Sequence, residues 1–429
     1  MAKIVILGAG LGGTAAAYEI KAALGAAHEV TLVGDSPYFQ FTPSNPWVAV
    51  GWRKQEAIRV AVAEPMRRHG IRFIDVPAQN VLPAENRVRL VDGQDLSYDY
   101  LVITTGPRLA FDEVPGLGPD GGHTHSICTG PHADETWRAY QALLANPGPV
   151  VIGAAPGASC FGPAYEFALI VDADLRRRRL RDRVPMTYVT PEPYIGHMGL
   201  GGVGDSKGLL ESILRERDIR WVTNARVTSV EAGNLKLDEV DARGAVAQSR
   251  ELPFAFAMLL PAFTGIPALR CIEGLTNPRG FVLIDEHQRN PTYRNIFSAG
   301  VCVAIPPVEV TPVPTGAPKT GFMIESMVGA IAENLRDELA GRPAEARATW
   351  NAVCLADMGD TGAAFVALPQ IPPRNVTWAR VGRWVHYAKV LFERYHLRKV
   401  RTGNTHPFYE RLMLRMLRIE SLKPDAPRR

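Results

Sequence analysis

The 429-residue chain has 46% hydrophobic and 21% charged residues, the balance of a globular protein of two or three domains and not of a disordered or fibrous one. Its formal charge of +4 is unevenly spread: residues 374–429 hold 14 Lys+Arg against 4 Asp+Glu, a net of +10, and the remainder holds 34 against 40, a net of −6. The longest apolar run, residues 254–263, is ten residues with Pro261 inside it and excludes a bilayer span, while five cysteines in so long a chain exclude a secreted disulfide framework.

Met1-Ala2-Lys3 leads straight into a β-branched apolar strand at residues 3–7, so the expectation is a chain without a cleaved secretory leader. Gly8-Ala9-Gly10-Leu11-Gly12-Gly13 follows, then an alanine-rich helix over 14–24 and a second strand over 29–33. This is a βαβ unit, and Gly8, Gly10 and Gly13 fit G-x-G-x-x-G within it. The first glycine makes a tight turn, the second lets backbone approach a pyrophosphate, and the third lets the helix pack close with its N-terminus toward the phosphates. A glycine turn of purely structural use is the competing reading. The acid that should meet a ribose at the end of the second strand is displaced: Gly34 holds that place, and Asp35 is the nearest substitute.

Residues 98–105 read as a further buried strand closed by Gly106-Pro107. A second unit begins with a strand at 149–152 and the loop Gly153-Ala154-Ala155-Pro156-Gly157-Ala158-Ser159-Cys160, with strands at 186–190 and 220–222. Ala155 in place of a glycine, Pro156 and the terminal Cys160 damage this loop as a nicotinamide site, which points to an electron donor other than NADH. Residues 281–284 and 295–298 are expected to return to the first sheet as strands. Near the end, Trp378, Val381, Val385, Ala388, Phe392 and Tyr395 recur at helical steps as one apolar face, with Arg380, Arg383, Lys389, Glu393 and Arg394 on the others. Beyond Gly403 and Pro407 a second helix sets Phe408, Leu412, Met416 and Ile419 on one side and Arg411, Arg415 and Arg418 along its flank. Such basic amphipathic helices suit a membrane surface. Nucleic acid is not an expected partner, because no stacking platform or groove-reading motif accompanies the charge. A dimerisation pair, and with it a homo-oligomer, remains an alternative.

Asp99-Tyr100-Leu101-Val102-Ile103-Thr104-Thr105-Gly106 resembles the strand-then-T-G segment of two-dinucleotide-domain flavoproteins. Asn295-Ile296-Phe297-Ser298-Ala299-Gly300 resembles the segment that reaches the flavin ribityl chain there, with Val301 where an Asp usually follows. Over nearly its whole length the chain resembles bacterial, membrane-associated sulfide:quinone oxidoreductases. The motifs that carry this run from Tyr38-Phe39-Gln40-Phe41-Thr42-Pro43-Ser44-Asn45-Pro46-Trp47 and Ser126-Ile127-Cys128 to Gly157-Ala158-Ser159-Cys160-Phe161-Gly162-Pro163-Ala164-Tyr165-Glu166. They continue with Pro193-Tyr194-Ile195-Gly196-His197, Thr315-Gly316-Ala317-Pro318-Lys319-Thr320-Gly321 and Trp350-Asn351-Ala352-Val353-Cys354.

The resemblance implies an α/β fold of two tandem Rossmann-like domains with a C-terminal amphipathic membrane-binding region. Residues 1–112 and 265–345 would form the FAD-binding domain, 113–264 a second unit with a degraded nicotinamide site, and 346–429 the quinone and membrane interface. It implies FAD held by Gly8, Ala9, Gly10, Leu11, Gly12, Gly13, Gly34, Asp35, Thr42, Pro43, Ala78, Thr105, Gly106, Gly300, Lys319, Thr320 and Gly321. It implies sulfide as substrate, because sulfide opens a disulfide to leave a persulfide and a thiolate. Cys160 and Cys354 would be the redox pair and Cys128 would take or release the growing polysulfide. Glu166, His132 and His197 would handle protons, against the plainer reading of the histidines as hydrogen-bonding residues. Phe392 and Tyr409 would sandwich a membrane quinone with Lys389 nearby, against the reading of Phe392 as core. Cys271 and Cys302 match no motif and are expected to be packing residues; no metal site is expected. The expected location is the bacterial cytoplasmic membrane, as a peripheral protein on a face the sequence does not specify.

Three other readings compete. A type II NADH:quinone oxidoreductase should keep its second glycine fingerprint intact. The flavoprotein subunit of a flavocytochrome c sulfide dehydrogenase should have a secretory signal and a haem-bearing partner. A sulfide-sensing or FAD-storing protein without turnover leaves three motif cysteines beside a quinone pocket unexplained.

Overall fold

Lys3–Leu7 (β1) is buried over all but its first residue, the pattern of a parallel strand covered on both faces. In the computed structural model, which describes residues 1–405, β1 is the middle of a five-stranded parallel sheet. Glu29–Val33 (β2) and then Arg72–Ile74 (β3) lie on one side, and Tyr100–Ile103 (β4) lies on the other. Helix α1, Leu11–Leu24, follows β1 directly and takes in Gly12 and Gly13, three residues earlier than the alanine run suggests. Gly8 has φ +99°, and a Cβ on Gly13 would lie 1.6 Å from the Gly8 carbonyl oxygen. The first and third glycines therefore do what the fingerprint requires of them.

A second parallel sheet runs Val150–Ala154 (β5), Met186–Val189 (β6) and Ile219–Val222 (β7), with Phe256–Leu260 (β8) on the other side of β5. Helix α2, Gly162–Arg177, leaves the loop after β5 and is buried almost throughout. Ile296–Ser298 (β9) then returns to the first sheet beside β4, as expected. Residues 281–284 do not: they make single bridges through Val282, to Thr276 and Val303, and no ladder. Helix α3, Gly321–Leu339, begins at Gly321 with the Thr320 side chain as its cap and packs on α1.

The C-terminal part departs most from the expected pattern. Ala352–Asp357 (β10), Gly362–Leu368 (β11) and Val376–Val381 (β12) form an antiparallel sheet, and helix α4, Arg383–Thr402, begins only after Gly382. Trp378 and Val381 thus belong to a strand, where residues pair across to β11, and not to the helix face. Lys389 and Glu393, expected off the apolar face, are buried together with His396 and Lys399. Lys389 pairs with Glu166, Glu393 with Arg53 and the Ser44 hydroxyl, and Lys399 with both oxygens of Glu325 at 2.7 and 2.8 Å, with His396 Nε2 3.4 Å from the same Glu325 carboxylate. The outward side of α4 instead carries Trp384, Tyr387 and Leu391, exposed by 39, 60 and 48%. The expected second helix, with Phe408, Tyr409 and the arginines beyond, lies outside the described residues. Among the described residues no helix is long and apolar enough to cross a membrane.

Removing one partner of a buried pair leaves a charge without compensation. Lys399→Met is expected to lower stability by about 3–5 kcal/mol, read by urea denaturation of the cofactor-loaded protein.

Candidate functional site

A cavity of about 730 Å³ runs from the β1–α1 turn to the C-terminal sheet and helix, within the range of cofactor and small-molecule sites. At one end it is lined by Gly8, Ala9, Gly10, Leu11 and Gly12, with Gly34 and Asp35 after β2 and Ala78 beside them. A Cβ on Gly34 would stand 2.9 Å from the Ala9 Cβ, so a side chain is excluded there and the acid moves one place on, to the exposed Asp35. Gly10 and Gly106 line the cavity, and a Cβ on either would meet nothing within 4 Å: open volume lies directly against backbone, the shape a dinucleotide phosphate bridge needs. Gly13 is absent from the lining because it packs helix on turn. Thr42, Pro43, Thr105, Gly300, Lys319, Thr320 and Gly321 continue the wall. Burial pushes the Lys319 ammonium down to about 8, and the Cys160 and Cys302 sulfurs, close enough to act on it, push the other way.

Cys128, Cys160 and Cys354 meet at the same cavity, brought from the segment before residue 130, from the β5–α2 loop and from the middle of β10. All five cysteines are free thiols. Burial pushes Cys128 and Cys354 up to about 11 and Cys160 up to about 12, the last raised further by the other two sulfurs. A carboxylate stands beside them: Glu166, one turn into α2, lines the cavity and pairs with the buried Lys389 ammonium. Burial pushes its carboxyl up to about 7 against the pull of Lys389. Behind it, Asp357 at the end of β10 donates its backbone N–H to Glu166 Oε1 at 3.2 Å. The Asp357 carboxylate accepts from Trp47 Nε1 at 2.8 Å and lies 3.0 Å from His386 Nδ1. Lys389 also stands 5.2 Å from the Trp47 ring centre. Phe392 closes this end, stacked on Phe322 with ring centres 5.8 Å apart, and a Cβ on Gly321 would stand 3.3 Å from its ring edge.

The structure does not bring every expected residue here. His132 is on the helix after Cys128 but off the cavity wall, 3.7 Å from Asp120. His197 is a buried strut: Nδ1 accepts from the Gly199 N–H at 3.1 Å, which leaves Nε2 to donate to Glu309 at 2.7 Å, and burial pushes its pKa down. Tyr409 lies outside the described residues. Cys302 is buried as expected, but Cys271 is exposed with φ +59° and is not a packing residue. Asp357 and His386 went unread in the sequence, since a lone acid ending a strand and a histidine opening a helix carry no signal until the fold joins them.

The β5–α2 loop of the second unit is tied to residues 314–316. Gly157 donates to the Pro314 carbonyl at 2.7 Å and Gly316 to the Ala158 carbonyl at 2.9 Å, sealing the β5–α2 loop. Glu192 follows β6 as Asp35 follows β2, yet it is wholly buried and accepts from Tyr165 at 2.8 Å, Thr190 at 2.7 Å and the Met198 N–H at 2.6 Å.

Residues 2–320 match the pyridine nucleotide-disulphide oxidoreductase family. A sulfide-quinone reductase of Aquifex aeolicus is 44% identical over 418 residues, 96% of this chain and 95% of that protein. The X-ray structure of the sulfide:quinone oxidoreductase of Aquifex aeolicus has a TM-score of 0.93 with this fold at 42% identity, covering 98% of this chain and 96% of that one. The mitochondrial sulfide:quinone oxidoreductase of Mus musculus is 24% identical over 71% of this chain and 66% of its own length.

Thiols raised to about 11 or 12 carry little thiolate near neutrality. In the reduced protein at pH 8, Cys128, Cys160 and Cys354 are each expected to alkylate with iodoacetamide roughly a hundredfold or more slower than a free cysteine of pKa about 8.5. A mass-spectrometric time course per cysteine checks this, with rates rising as pH climbs.

Proposed function

Since the chain belongs to the sulfide:quinone oxidoreductases, within the pyridine nucleotide-disulphide oxidoreductase family, we propose that Cys160 and Cys354 are its redox pair, Cys128 the handler of the polysulfide, and Glu166 the base. The enzyme is an FAD-dependent flavoprotein that oxidises sulfide and reduces a quinone. The observation that carries the residue assignment is the meeting of three thiols with the Glu166–Lys389 pair on one cavity wall.

Bound FAD supplies a two-electron relay between the thiols and the quinone. Gly8 and Gly10, with the N-terminus of α1, would hold its diphosphate, Asp35 would meet the ribose, and Lys319 and the start of α3 would offer positive charge to its pyrimidine end. Sulfide attacks one sulfur of an oxidised Cys160–Cys354 pair, leaving a persulfide on that cysteine and a thiolate on the other. The Glu166 carboxylate takes the proton that sulfide or a thiol gives up and becomes the carboxyl, and Lys389 holds the group in place. The second-unit loop, sealed by residues 314–316, presents a thiol in place of a nicotinamide pocket, which favours sulfide over NADH as donor.

On the quinone side, Phe392 and Lys389 supply a flat apolar face and a polar group; the second ring expected from the resemblance, Tyr409, lies outside the described residues. Trp384, Tyr387 and Leu391, flanked by Arg383, Arg394 and Arg398, set α4 against the bilayer of the bacterial cytoplasmic membrane and bring the quinone entrance to the lipid.

Anaerobic mixing with sulfide, followed by flavin absorbance and quinone reduction, tests the assignment. Cys160→Ala and Cys354→Ala are each expected to abolish sulfide-dependent quinone reduction, and an enzyme reduced by NADH but indifferent to sulfide would overturn the reading. Glu166→Gln is expected to slow flavin bleaching by about 10²-fold or more. A carboxyl raised to about 7 is ionised above that pH and protonated below it, so the gap between wild type and Glu166→Gln should widen above pH 7 and close below it. Separately, Trp384→Ser with Leu391→Ser should weaken binding to anionic lipid vesicles by about tenfold or more, read by co-sedimentation.

A further inference from the structure

Residues 196–204 are a glycine-rich crossing in which Gly196, Gly199, Gly201, Gly202 and Gly204 all take positive φ. Met198 does so too, at φ +61°, in a conformation that L side chains resist. Of the seven non-glycine residues at positive φ among the described residues, Met198 alone lines the cavity. The turn does not need a side chain there, since glycine meets the same demand at five neighbouring places.

A hydrogen bond to a buried carboxylate holds Met198 in this position. Its N–H donates to the Glu192 carboxylate at 2.6 Å, and that carboxylate is fixed in turn by the Tyr165 and Thr190 hydroxyls. The side chain so presented faces a gap. The point where a Cβ on Gly162 would stand is 3.3 Å from Cys354 Sγ and 3.9 Å from the Met198 methyl carbon. Gly162 therefore leaves one atom's space beside the Cys354 sulfur, and Met198 bounds it. Leu200 and Val203, both buried, carry the apolar wall onward. A chain of sulfur atoms is uncharged along its length and polarisable, and a thioether and aliphatic groups are its natural neighbours.

We propose that Met198 is a specificity-determining residue that limits how far a sulfur chain on Cys354 grows before it leaves, with the bare Gly162 providing the room in which it starts. This rests on Cys354 belonging to the redox pair. Each added sulfur arrives as hydrosulfide: it bonds to the outermost sulfur of the bridge on the Cys354 side, the bond from that sulfur to Cys160 breaks to leave the Cys160 thiolate, and the S–H proton passes to Glu166. The bridge then closes one sulfur longer, as the new terminal sulfur bonds to Cys160 and two electrons leave for the quinone. Growth continues while the next sulfur has space and stops against the Met198 methyl.

The test measures product length. The FAD-loaded enzyme turns over sulfide anaerobically with a soluble quinone analogue, and released chains are trapped with monobromobimane and sized by mass spectrometry. Met198→Gly removes the barrier and also the unfavourable backbone conformation, so the variant keeps its fold; its product is expected to be longer by one sulfur or more. Gly162→Ala places a methyl against Cys354 Sγ and is expected to shorten the product. Met198→Leu, which keeps the volume, should give the wild-type length. Wild-type distributions from both Met198→Gly and Gly162→Ala, in enzyme that still oxidises sulfide, overturn the inference and leave the cysteine assignment standing. A wild-type enzyme that releases no polysulfide overturns both.

Discussion

The pairing of the Lys389 ammonium with the Glu166 carboxylate holds the site together. It joins the C-terminal helix to the helix that leaves the Cys160 loop, with the strand carrying Cys354 between them. Neither group is tolerated alone in that apolar surrounding, because an uncompensated buried charge costs several kcal/mol. Asp357 reinforces the arrangement from behind, reaching Glu166 through its backbone and Trp47 and His386 through its carboxylate. Remove one partner and the charge left behind stands beside the thiols with nothing to balance it.

The second unit keeps the outline of a nucleotide-binding fold while putting its parts to other uses. Its parallel strands and following helix are retained, and so is an acid after the second strand. That acid, Glu192, is turned inward onto the protein's own tyrosine, threonine and backbone. The loop that elsewhere cradles phosphates ends in Cys160 and is closed by residues 314–316. A pocket for a charged dinucleotide becomes an apolar wall beside sulfur, with no change of topology.

Elements governed by local rules were legible in the sequence. The fingerprint strand, turn and second strand stand where the β-branched runs and glycines put them, and β9 returns to the first sheet. The three motif cysteines do meet. What escaped was whatever depended on distant partners. Periodicity ran Trp378 and Val381 into the helix because strand and helix patterns overlap over short apolar stretches, and only pairing with β11 separates them. Periodicity sets Lys389 and Glu393 off the apolar face without saying what they meet, and their burial is acceptable only through an acid and a hydroxyl 223 and 349 residues away. His132 and His197 were drawn toward the chemistry by motif position, yet their side chains turn to Asp120 and to a backbone turn.

The buried pair also bears on how such a protein can change over generations. Positions 166 and 389 are 223 residues apart, yet physically they form a single character. A lineage that neutralises one alone passes through a form with a stranded charge next to the thiols, which selection removes. The two positions are therefore expected to drift together or not at all, and a relative with an uncharged residue at one should have an uncharged residue at the other.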